Sequence, residues 1–291
     1  YWEIPGRDEA WAAEQKAMLG ELKYNQEVLC TFLGSSLTLI NAGVIGKMGV
    51  DDIIHTKDGL DVYVRPQAGH TYCLVADIAK GVGGDYSAFQ VIDITETPYR
   101  IVAKYRNNEI SPLLYPNVIY KVGTEYNEAY VLLEINVSEQ VAHILYTEME
   151  YENILFVTRH ALGQTVSGGF GGGKTQLGVN TDKKIKRIGC HNFKSLVEEN
   201  KLIINDADTI SEISTFIEKK GSYEADEGYH DDLVMPLVLF GWLTTNAYFK
   251  DLNNINLREV MYKKQIKAIE EELTPFGFYN DGGPEPDPLN F

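Results

Sequence analysis

Thr71-Tyr-Cys-Leu-Val-Ala-Asp77 is an unbroken apolar run that closes on an acid, and it decides how the rest of the chain is read. Its length and composition fit a strand, Thr71–Ala79, whose two faces are both covered. The glycine-rich loop Gly81–Gly84 leads to a second strand, Ser87–Ile94, and Thr97-Pro98 turns the chain into a third, Tyr99–Tyr105. Three strands in succession with short connections predict an antiparallel meander.

The period then changes. Ser111-Pro112 predicts a helix to about Glu125, with Ser111 as N-cap and Pro112 at the first helical position. Ala129–Glu134 is another apolar strand, Ser138 is expected to cap a helix to about Glu150, and Ile154–Thr158 follows as a strand. Thr181 or Asp182 begins a basic helix to about Asn200. After it come a short strand Leu202–Asn205, a helix Asp208–Lys219 and a last helix from Asp232 to about Ala247. Upstream, Glu9–Leu22 and Gln26–Leu33 have helical patterning, Asp58-Gly59 marks a turn and Val62–Arg65 a short strand. A meander followed by βα units, with helices on both faces of a mixed sheet, predicts an α/β fold of the ribonuclease-H-like class.

Acids fall at element ends three times. Asp77 closes the first core strand, Glu134 closes Ala129-Tyr-Val-Leu-Leu-Glu134, and Asp231-Asp232 precede the apolar run Leu233–Leu243. A carboxylate ending a wholly apolar strand is costly unless it meets a partner. Several converging from separate elements suit a hard, oxygen-preferring cation such as Mg²⁺. Two such ions roughly 4 Å apart would stabilise both the attacking and the leaving oxygen of a phosphodiester. Asp77 is expected to bridge them, Glu134 to hold one, and Asp231 or Asp232 the other. For the aspartate pair alone, helix capping is the simpler explanation. Asp85 is a secondary candidate beside an ordinary turn role, and His230 is expected to fill the first helical turn rather than shuttle protons.

The net charge of −16 argues against a nucleic-acid partner, but it is unevenly spread. Between Arg159 and Lys194 seven basic residues, among them Lys174, Lys183, Lys184, Lys186 and Arg187, face Asp182 alone. This segment could hold a phosphate backbone, or simply be the solvated face of a helix. Gly168-Gly-Phe-Gly-Gly-Gly173-Lys174-Thr175 matches the P-loop pattern. That pattern has meaning only between a strand and a helix. Thr158 ends too early and Gln176–Thr181 reads poorly as helix, so no nucleotide site is assigned and a glycine loop or hairpin presenting Lys174 is expected. Cys30, Cys73 and Cys190 are too scattered for a disulfide framework or zinc site, which predicts a reducing setting. No run reaches the roughly 20 apolar residues of a membrane span. A start at Tyr1 rather than Met predicts a piece of a longer protein.

Taken together, these residues resemble the nuclease domain of the large terminase subunit of tailed bacteriophages, the DNA-packaging motor, most closely the T-even type. The likeness lies in Tyr72-Cys-Leu-Val-Ala-Asp77-Ile-Ala-Lys-Gly81 with Gly84-Asp85-Tyr-Ser-Ala88, in Leu132-Leu-Glu134, in Lys174–Lys184 and in Gly228-Tyr-His-Asp231-Asp232-Leu-Val-Met235. It covers roughly Pro66 to Trp242. Trp2-Glu-Ile-Pro5 to Trp11 and Gln26–Leu33 look like the end of that family's packaging ATPase domain, whose own P-loop is absent from this sequence.

The resemblance implies three regions. Residues 1–50 would be the end of the ATPase domain with a linker, 51–250 the ribonuclease-H-like nuclease domain, and 251–291 an acidic, partly disordered tail. It further implies an endonuclease that cuts concatemeric duplex DNA, without strong sequence preference, in headful packaging. Two Mg²⁺ ions, or Mn²⁺ instead, would serve it. The portal protein and small terminase subunit would be partners of the full-length protein in the host cytoplasm, with no membrane association. The alternatives are a resolvase- or transposase-like nuclease of the same fold, a nucleotide switch using Gly168–Thr175, and a catalytically inert DNA-binding domain.

Overall fold

The computed structural model describes residues 7–27, 38–160, 163–167 and 175–250. Its centre is a mixed sheet in the order β1-β2-β5-β4-β3-β6. The strands are β1 (His55–Lys57), β2 (Leu60–Val62), β3 (Tyr72–Asp77), β4 (Ser87–Asp93), β5 (Tyr99–Asn107) and β6 (Tyr130–Leu133). The meander is present: β4 lies antiparallel between β3 and β5, with Asp77 opposite Ala88 at one end of the first pairing. β6 runs parallel to β3 in the register Cys73↔Tyr130 to Ala76↔Leu133. The shared register places the two strand ends, and the acids on them, side by side. The Glu134 N–H donates to the Ala76 carbonyl at 2.8 Å.

Two apolar layers cover the sheet, and the period-two alternation of β3 divides its side chains between them. Cys73 and Val75 pack on one face with Ile92, Ile101 and Leu132, under α5 (Lys183–Glu198) and α7 (Val234–Leu243). Tyr72, Leu74 and Ala76 pack on the other with Phe89, Val91 and Leu133. That face is closed by α3 (Tyr115–Glu125) and by α4 (Gln140–His143), which widens into a π turn over Ile144–Glu148. The mixed sheet with helices on both faces is the predicted ribonuclease-H-like arrangement. On the first face α5 and α7 approach closely. A Cβ at Gly189 would stand 2.3 Å from the Val238 carbonyl, and one at Gly241 would stand 2.7 Å from the Phe193 nitrogen.

The remaining elements are α1 (Glu9–Glu27), the short α2 (Ala42–Ile45), β7 (Phe156–His160), β8 (Gly163–Ser167) and β9 (Thr175–Leu177). They are followed by β10 (Leu202–Ile203), α6 (Ala207–Thr215), β11 (Phe216–Lys219) and β12 (Ser222–Ala225). β10 adds to β5 in parallel, β8-β7-β9 form a small antiparallel sheet, and β11–β12 a hairpin.

Several expected boundaries are corrected. Ser111 and Pro112 do not open α3: Ser111 to Leu114 close a separate turn, and Pro116 sits in the first helical turn instead. Ser138 does not cap α4, which starts at Gln140 without a side-chain cap. The helix expected over Asp208–Lys219 ends at Thr215, and Phe216–Lys219 pairs as β11 with β12, leaving a two-residue turn at Lys220-Gly221. The strand expected at Val62–Arg65 lies at Leu60–Val62, paired through the Asp58-Gly59 turn with β1. The helix expected over Gln26–Leu33 and the tail 251–291 fall largely or wholly outside the described residues.

Candidate metal centre

The ends of β3 and β6, the Ile78–Tyr86 loop and the residues just before α7 enclose a cleft of about 480 Å³. Asp77, Asp85, Glu134, His230, Asp231 and Asp232 all line it, and Lys80 is the lysine on its wall. The structure therefore brings together all five expected acids and the histidine at one place.

Within the cleft they fall into distinct relationships. Asp77 hydrogen-bonds the carboxyl of Glu134. Burial, then the charge of Glu134 and of Asp232, pushes Asp77 well above the ordinary carboxylate range. Two carboxyls in hydrogen-bonding contact require a shared proton, or a cation in its place. One ligand atom each from Asp85, His230 and Asp232 lies within 4.8 Å of the others. Asp232 is buried and pushed up to about 6, burial being the main cause. The Tyr86 backbone N–H donates to it, and His230 Nδ1 stands 3.4 Å from its Oδ2, which has no hydrogen-bond partner among the described residues. Asp231 lines the cleft as well and faces Lys186 Nζ on α5 at 4.0 Å.

The local chain explains why Asp232 is free. The N-cap position of α7 is Leu233, and neither aspartate side chain caps the helix. The capping explanation of the pair is thus overturned. Glu212 of α6 supplies the missing acceptor: its Oε2 receives the Leu233 N–H at 2.8 Å. Glu212 is buried, pushed up to about 7 chiefly by that burial, and faces Arg106 at 3.2 Å. The Arg106 guanidinium covers the Tyr86 ring at 4.0 Å, and the Tyr86 ring meets His230 edge-on at 5.3 Å. His230 is exposed and lies before the helix, so it does not fill the first turn of α7.

Glu212, Arg106 and Tyr86 escaped the sequence reading. The only sequence signal for Glu212 is an acid next to Ile213 on the buried side of α6, and nothing ties it to Leu233, 21 residues on.

The donor set fits a hard divalent cation. It is mainly oxygen, it includes a buried carboxylate oxygen without a hydrogen-bond partner, and it crowds acids that repel one another when ionised. Of the basic residues, Lys183, Lys184, Lys186 and Arg187 lie at the start of α5, capped by the Asp182 side chain on the Ile185 N–H at 2.8 Å. Lys174 lies outside the described residues, as does most of the Gly168–Thr175 segment. β9, a strand, follows that segment where a P-loop requires a helix.

Comparison with known proteins identifies the same region. Residues 74–254 match the family model for the terminase RNase H-like domain. The fold is similar to the crystal structure of the large terminase nuclease from thermophilic phage G20c, at 20% identity and a TM-score of 0.52, over 70% of this chain and 96% of that one. The same nuclease with bound magnesium superposes with a TM-score of 0.55 at 19% identity, over 71% and 97%. With bound cobalt the values are 0.54, 20%, 71% and 97%. Identities this low carry the fold alone.

Proposed function

The chain belongs to the terminase RNase H-like domain family, and from that premise we propose that it is a metal-dependent endonuclease that cuts duplex DNA during phage genome packaging. The observation that carries this reading is the meeting of Asp77, Glu134 and Asp232, from two parallel strand ends and a helix start, in one open cleft.

When bound, a pair of Mg²⁺ ions would neutralise charge on the scissile phosphate and make water a better nucleophile at neutral pH. The magnesium held by the G20c nuclease favours that ion here, with Mn²⁺ as a substitute. The residues that would hold them are Asp77 and Glu134 on one side and Asp232 on the other, with Asp85 adding a carboxylate. His230, with Nδ1 3.4 Å from Asp232 Oδ2, would help to orient that carboxylate and would be the group to pass a proton to a leaving oxygen. Asp231 holds Lys186 at the rim instead of binding metal. Lys80 supplies a positive charge at the cleft wall, where a phosphate oxygen would enter. Lys183, Lys184, Lys186 and Arg187, with Lys174, would track the DNA backbone rather than read bases, which predicts weak sequence preference.

Headful cutting of a concatemer, with the portal protein and small terminase subunit as partners in the host cytoplasm, is the setting this activity fits. Nicking and linearisation of supercoiled plasmid in Mg²⁺ tests the reading. Cleavage by the chain, lost with EDTA and in Asp77→Asn, is expected; cleavage that persists in Asp77→Asn overturns the site.

A further inference from the structure

A second concavity, of about 880 Å³, lies between α5 and the β11–β12 hairpin. Lys183, Lys186, Arg187 and Lys194 form one wall, and Lys219 and Lys220 the other; Glu224 is the acid among the residues that line it. The α5 positions follow helical spacing, so they form a single stripe facing the hairpin. On a chain of net charge −16 this is a concentrated exception. Lys219 is held by the Ala225 carbonyl at 2.9 Å and by Glu224 and Asp226. Lys183, Arg187 and Lys220 take part in no ion pair among the described residues.

The hairpin tip carries a second, independent observation. Its two turn residues, Lys220 (φ 52) and Gly221 (φ 79), are both left-handed. A two-residue turn of this kind favours Asn-Gly, because Asn tolerates positive φ better than a long side chain does. A lysine held at that cost, exposed and without an ion-pair partner among the described residues, points to a role for its charge. The concavity also joins the carboxylate cleft: Lys186 lines it and at the same time faces Asp231 at 4.0 Å, while its Nζ lies 5.6 Å over the ring of Phe216, where β11 begins.

We propose that this concavity holds the sugar-phosphate backbone of the duplex arm beside the cut, with Lys220 as the contact from the hairpin. The proposal rests on the nuclease reading for its place in the reaction, but its binding is independent of cleavage. From Phe216 to Lys220 the strand advances roughly 13 Å at about 3.3 Å per residue. That corresponds to about four phosphates along one strand of duplex DNA. Lys220 would thus touch the backbone about four base pairs beyond the Lys186–Asp231 junction.

The test uses the whole chain and a duplex of about 30 base pairs in EDTA, with affinity followed by fluorescence anisotropy across a salt series. Lys220→Asn suits the turn better and is expected to melt no lower than wild type. It should nevertheless bind roughly threefold more weakly whatever the sequence, with a salt slope shallower by about one. Lys183→Gln on the opposite wall should shift both quantities in the same direction. Unchanged affinity and slope in Lys220→Asn overturns the proposal, even if Lys183→Gln weakens binding. A wild-type chain that binds with this dependence but never cleaves plasmid in Mg²⁺ or Mn²⁺ would sink the nuclease reading and leave the binding surface standing.

Discussion

Glu212 Oε2 accepts the Leu233 N–H at 2.8 Å, and this one bond releases the preceding aspartates from capping α7. The acid that caps comes from another helix, so Asp232 can point into the cleft. Arg106 faces the second Glu212 oxygen and covers Tyr86, whose N–H in turn holds Asp232. The turn that carries the site is therefore braced from α6 and β5.

Removing that brace has a measurable cost. Glu212→Ala leaves the Leu233 N–H without its acceptor and Arg106 without its charge partner, which should destabilise the fold by about 1–3 kcal/mol. Glu212→Gln keeps an acceptor and should cost less. Urea unfolding of both variants checks the order; equal losses would show that the acceptor is not what matters.

The two aspartates should separate cleanly. Asp232→Asn is expected to cut plasmid at least about a hundredfold more slowly than wild type, whereas Asp231→Asn, which loses only its contact with Lys186, should fall by less than about tenfold. In EDTA the Asp232→Asn protein should melt higher than wild type, because a buried charge among like charges is gone. A slow Asp231→Asn beside a normal Asp232→Asn would reverse the assignment.

The acids also predict how Mg²⁺ stabilisation depends on pH. Asp77 and Asp232 have folded values raised above the ordinary Asp value of about 3.9, with Asp232 at about 6. Between those values the folded chain binds more protons than the unfolded one. Metal-free stability from these groups is therefore full below about pH 4 and lost as pH rises through about 6 for Asp232 and through the raised value of Asp77. Metal replaces the protons, so the rise in Tm on adding Mg²⁺ should be larger at pH 8 than at pH 5. An equal rise at both, measured by scanning calorimetry, would place the metal elsewhere.

The packing of α5 on α7 makes a prediction independent of chemistry. Gly189→Ala would put a methyl carbon 2.3 Å from the Val238 carbonyl, in backbone that cannot move alone. Overpacking of this kind costs about 1–3 kcal/mol. Because α5 carries the basic stripe and α7 follows Asp232, DNA binding and cleavage should fall together with stability. Thermal melts and anisotropy on the same samples check that linkage.

By itself, the sequence determined the meander of β3, β4 and β5, the apolar strand β6 and the acids at their ends. These are local patterns: an apolar run has a period and a last residue, and a carboxylate there is conspicuous. It also placed the basic helix, since Asp182 sits where an N-cap belongs. The short polar elements were less legible. β11 reads as helix until its pairing with β12 is known, because hydrogen bonds across a hairpin outweigh weak propensities. Only the tertiary structure decided that Asp231 faces Lys186 while Asp85 and His230 stand beside Asp232, and that Glu212 caps a helix 21 residues away. Those outcomes depend on where side chains from distant segments meet, and spacing along the chain does not encode that direction.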